Sequence, residues 1–209
     1  MARPKLLIWI TAGFCAAFLL AACVLGVAGT NEKGINAALA ATGRLSFLLF
    51  WPTYTGSALV TLFGPRFQPI RRNGREFGLA FASAHLVHLG LVGWLCAIGA
   101  APAAGVFVLF GIAAFSLYLL AVLSVPAIVT KLAPRDRRLL RLVTMTYIAY
   151  AFAVDFLTNP QVAGIKHTLA YLPFSALVIA GFLLRFAAFA AQTRGRANQR
   201  CQVPNVFQS

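Results

Sequence analysis

Gly78-Leu-Ala-Phe-Ala-Ser-Ala-His85-Leu-Val-His88-Leu-Gly-Leu-Val-Gly-Trp-Leu95 is the stretch on which the reading of this chain turns. It lies inside a run of 23 uncharged residues, 77–99. As a helix that run would span about 35 Å, more than the roughly 30 Å hydrocarbon core of a bilayer. Two imidazoles inside such a span are costly and point to a function or a polar partner. A separation of three residues puts His85 and His88 on one helical face. Phe81 and Val92 extend that face, which is predicted to turn inward because lipid offers an imidazole no partner.

The rest of the chain has the same character. Hydrophobic residues make up 60% and charged residues 11%, with a mean hydropathy of +0.82. A soluble domain needs a more polar surface. Six windows reach the length of a span: residues 6–29, 45–63, 77–99, 104–126, 139–158 and 168–190. The predicted fold class is therefore an all-α integral membrane protein, a six-transmembrane-helix up-down bundle over residues 1–191. A polar cytoplasmic tail, expected to lack structure, would follow at 192–209. Short connections make successive helices antiparallel. Neither a G-x-G-x-x-G nor a Walker loop is present, so no nucleotide or flavin domain is expected within the chain.

The net charge of +14 follows the topology. With the N-terminus in the cytoplasm, Lys33, Arg44 and Lys166 fall outside and the other basic residues fall inside. That asymmetry is the positive-inside signature. It predicts cytoplasmic N- and C-termini and anionic lipid head groups as partners of the inner loops; the membrane expected is a bacterial inner membrane. No nucleic-acid partner is expected.

Cys15, Cys23, Cys96 and Cys201 show no metal-type spacing, and neither a disulfide nor a zinc site is predicted. Leu20-Ala-Ala-Cys23 resembles a lipoprotein processing site, but the apolar run continues to Gly29. The segment is read as the first helix, with cleavage at Cys23 as the alternative.

Thr30 to Arg44 reads as an outer link, with Gly29, Asn31 and Gly34 as breakers. Pro52 is expected to bend the second helix, and Gly64-Pro65 to end it. Residues 65–76 form a basic inner loop, and Lys131 to Arg141 a second. Arg185, near the end of the sixth span, has the length to snorkel to the interface.

His88 has two readings: a neutral imidazole bonded to a neighbouring helix, or a ligand to haem iron, which imidazole suits. His85 and His88 cannot be opposite axial ligands of one haem, being on one helix. Asp155 is the one carboxylate within a predicted span. It is a candidate polar partner for His88, a tyrosine or Lys166, or an interfacial residue. His167 opens the sixth span and reads as interfacial.

The chain resembles a known family in several places. Ala41-Thr-Gly-Arg-Leu-Ser-Phe-Leu-Leu-Phe50 resembles the Thr-Gly helix entry of ferric reductase-like transmembrane domains. Gly64-Pro65 with Arg71-Arg72 is similar to that family's inner loop, and Gly78-Leu79 followed by His88 to its third helix. The similarity is best over residues 41–95 and collinear to about 186. It implies six spans, a b-type haem and His88 as ligand to the haem iron; His85, on the same face one turn away, is a second cofactor-binding candidate from its position alone. The family places further ligand histidines on the fifth helix. Aligned on Arg135 to Arg141, those positions fall at 143–144 and 155–156, where this chain has no histidine.

Three functions follow as expectations. One is transmembrane electron transfer through b-type haem, making the chain a membrane oxidoreductase subunit with a separate electron donor or acceptor protein. Another is a haem-less scaffold or partner subunit of the same fold. The last is a small carrier or proton path through His85, His88 and Asp155.

Overall fold

A computed structural model describes residues 3–124, 133–158 and 165–201. Seven α-helices occur among these residues: α1 (Arg3–Ala28), α2 (Glu32–Phe63), α3 (Gln68–Arg72), α4 (Gly74–Ala97), α5 (Ala104–Val122), α6 (Pro134–Thr158) and α7 (Ile165–Cys201). A 3-10 turn, Pro65–Phe67, precedes α3. Six helices, all but α3, are long and apolar enough to cross a bilayer. The protein is an all-α integral membrane bundle, as its sequence predicts. Large apolar side chains cover the outside: Phe186 is 73% exposed and Phe115 is 68% exposed.

The termini of two spans differ from the expectation. Residues 32–44 are not a link but the first turns of α2. Asn31 is its N-cap, the side-chain oxygen accepting from the Gly34 amide at 3.0 Å. Glu32 follows in the first turn, where a carboxylate complements the helix dipole. Gly34 is a packing residue, because a Cβ there would collide with the Gly29 carbonyl. At about 48 Å, α2 is longer than the hydrocarbon core and runs through Pro52 without a break. At the other end of the chain, α7 continues past residue 191 to Cys201, so the first part of the expected tail is helical. The basic stretch 65–76 is also largely helical. Part of the second basic loop lies outside the described residues.

Glycine makes the turns. Gly29 and Gly64 have φ of +86° and +84°, values that L side chains rarely adopt.

α2 is the hub, touching α1, α4, α6 and α7. α4 also packs on α1 and α5, α5 on α6, and α6 on α7. The α1 seam is a ladder of small residues at four-residue intervals: Gly13, Ala17 and Ala21 are all buried. Small residues let helix backbones approach closely where no hydrophobic force favours association.

Single polar side chains stitch the neighbouring pairs. Ser83 Oγ on α4 donates to the Ile10 carbonyl on α1 at 2.8 Å. The Tyr118 hydroxyl on α5 donates to the Ala82 carbonyl at 3.4 Å. Tyr147 on α6 donates to the Leu109 carbonyl at 3.2 Å. Ser175 on α7 donates to the Phe156 carbonyl at 2.7 Å. Trp51 Nε1 on α2 donates to the Leu177 carbonyl at 2.8 Å. Within this circuit lies an aromatic core. Phe47 and Phe50 of α2, Phe81 of α4 and Phe156 of α6 are each 3% exposed or less. Phe47 meets Phe156 edge to face at 5.0 Å, and Phe156 stacks on Phe174 at 5.3 Å.

Candidate functional site

His85 and His88 face the bundle. Their rings stack, with centroids 5.1 Å apart and planes 14° apart. His85 also meets Phe81 at 5.8 Å, so the face predicted for α4 exists. His88 Nδ1 lies 3.0 Å from Thr42 Oγ1 on α2. That contact joins α2 to α4 and closes the circuit of interhelical bonds.

The roles in this contact can be assigned. Thr42 is fully buried, and its Oγ1 lies 2.8 Å from the Ala38 carbonyl and 3.2 Å from that of Leu39. A hydroxyl has one proton, and its shorter contact is with Ala38. His88 Nδ1–H is therefore the donor to Oγ1, which leaves the lone pair on Nε2. His85 is less well served, since its Nδ1 is buried without a hydrogen-bond partner.

Asp155 is elsewhere. It lies on α6, partly buried, within electrostatic reach of Tyr171 on α7. The same tyrosine receives Arg44, whose guanidinium carbon stands 4.5 Å from the Tyr171 ring centroid and 5.6 Å from that of Phe174. Arg44 Nε is buried without a hydrogen-bond partner. Arg44, expected in an outer link, is thus an α2 residue set against aromatic faces, where a guanidinium gains cation–π attraction. The structure gathers His85, His88 and Thr42 into one group and Asp155, Tyr171 and Arg44 into another. The side chains of Lys166, His167 and Cys201 lie outside the described residues.

The described residues supply His88 but no second histidine ligand for a haem. Among the described residues, no imidazole faces His88 from another helix, and no group of three His, Cys, Asp or Glu side chains is placed to hold a metal ion. A Cβ on Gly43 would meet His88 Cε1 at 3.6 Å and Nδ1 at 4.0 Å, so the α2 backbone runs along the Nδ1–Cε1 edge of the ring. The large cavity of the bundle, about 610 Å³, is lined by neither histidine.

Thr42 and Arg44 stand in the sequence only as part of the Thr-Gly helix entry, not as site residues. Thr42 looks like an ordinary helix residue that bonds back to its own turn. Arg44 could have been recognised as helical from Asn31-Glu32, a cap followed by a first-turn carboxylate.

No protein-family model, no curated protein and no solved structure matches this chain.

Proposed function

We propose that this chain is a membrane-embedded scaffold or partner subunit of ferric reductase-like architecture, held together without haem. Its place would be a bacterial inner membrane with both termini in the cytoplasm, the orientation favoured by its basic residues. The observation that carries the reading is Phe156, which stands at one of the positions where the resembled family has a ligand histidine and fills the aromatic core at 1% exposure. The Thr42–His88 contact at 3.0 Å uses the third-helix histidine as an interhelical tie. Polar ties of this kind specify helix pairing in lipid. A separate redox protein would be the partner, docking on the basic loops.

One observation favours transmembrane electron transfer as a second reading. The Nδ1–H of a metal-bound histidine usually donates to an acceptor that orients the ring, and Thr42 supplies such an acceptor.

Haemin titration of the detergent-purified protein separates the two. We expect no saturable Soret change. Saturation at one haem per chain, abolished in His88→Ala and kept in His85→Ala, would establish the second reading instead.

A further inference from the structure

The large cavity opens where α4 and α6 begin and α5 ends. Its volume is about 610 Å³, within the range of pockets that hold small molecules. Phe50, Phe81 and Leu117 are among its apolar lining residues, and Arg75, Arg137, Arg138 and Arg141 also line it. No aspartate or glutamate is among the lining residues. We propose that this cavity is a binding site for an anionic membrane lipid, its phosphate held by the arginines and its hydrocarbon lying along the aromatic floor.

Three observations converge on that chemistry. First, four guanidinium groups around one cavity repel one another, and a phosphate removes the repulsion. Arginine also matches phosphate oxygens with paired N–H donors. Second, Arg137 Nε is buried without a hydrogen-bond partner. Such groups normally find one, and a headgroup oxygen would supply it. Arg75 is already fixed, its Nη2 donating to the Ser124 carbonyl at 2.8 Å. Third, Arg137 closes the first turn of the 25-residue α6, which also carries Asp136, with Arg138 next and Arg141 one turn on, and the unsatisfied amides of that first turn add positive potential. The arginines alone would suit free phosphate equally. The apolar floor, in a protein surrounded by lipid, selects an amphiphile.

Native mass spectrometry of the full chain in detergent, with added phosphatidylglycerol, phosphatidylcholine or inorganic phosphate, tests the proposal. We expect one phosphatidylglycerol retained per chain in preference to phosphatidylcholine. Retention should weaken at least tenfold in the Arg137→Gln, Arg141→Gln double variant and persist in Arg72→Gln, whose arginine is exposed and not among the lining residues. Equal loss in Arg72→Gln, or none in the double variant, would overturn it. Inorganic phosphate binding as tightly as phosphatidylglycerol would show an anion site with no lipid selectivity and would also overturn it. If the double variant does not fold, the wild-type competition decides: equal retention of the two lipids overturns the proposal. Neither histidine lines the cavity, so the outcome is independent of haemin titration.

Discussion

Arg185 on α7 donates through Nη1 to the carbonyl oxygen of Tyr54 on α2 at 3.2 Å, and its guanidinium carbon stands 4.8 Å from the ring centroid of the same tyrosine. The side chain is partly buried and spans two helices instead of only reaching for the interface. The contact depends on a planar, delocalised cation. Arg185→Met should cost about 2 kcal/mol, from a charge-assisted hydrogen bond and a cation–π contact. Arg185→Lys should recover less than half of that, because an ammonium does not reproduce the stacked fork. Thermal unfolding in detergent measures both. Full recovery by lysine would mean that the residue only snorkels.

Thr42 tests the tie to His88 without touching the histidine. Thr42→Val removes the acceptor and should destabilise the bundle by about 1 kcal/mol, the usual scale for interhelical hydrogen bonds in membranes. Thr42→Ser keeps the hydroxyl and should unfold closer to wild type. Equal melting temperatures for the valine and serine variants would remove the hydrogen bond from the energetics.

The α1 seam makes a sharper prediction. A Cβ at Gly13 would lie 2.5 Å from the Ala80 carbonyl oxygen and 2.9 Å from Ser83 Oγ, whereas one at Gly26 meets nothing within 4 Å. Gly13→Ala should push α1 from α4 and destabilise by about 1–3 kcal/mol, the cost of overpacking. Gly26→Ala should be neutral or slightly stabilising, since alanine favours a helix. Proteolysis of the N-terminal helix in detergent should be faster in the first variant alone.

Asn31 sets where α2 begins. Asn31→Ala removes the bond to the Gly34 amide and should cost about 1 kcal/mol. Hydrogen exchange should rise in the first turn of α2 and stay unchanged around Phe47, which is deeply buried.

The six spans were legible because length and hydropathy alone identify a helix that crosses a bilayer, and the inward face of α4 because two imidazoles need partners. The start of α2 was obscured by treating Asn31 and Gly34 as breakers. A cap and a close-packed glycine have the same composition as a loop, and only the neighbouring backbone distinguishes them. The aromatic core was present as spacing, with Phe47, Phe50 and Tyr54 at i, i+3 and i+7. In a chain so rich in apolar residues, that stripe does not stand out from the lipid-facing ones. The partner of His88 was not legible at all. Which hydroxyl on another helix reaches Nδ1 is fixed by how α2 and α4 cross. The arginine cavity was likewise hidden, since Arg75 and Arg137 belong to separate basic loops that only the packing brings together.

The role of His88 as a tie between helices, not a ligand to iron, is tested most directly by a dithionite-reduced minus oxidised difference spectrum of protein purified from haem-replete cells. We expect a flat trace through the Soret region. A reduced Soret band corresponding to one haem per chain, lost in His88→Ala, would contradict it.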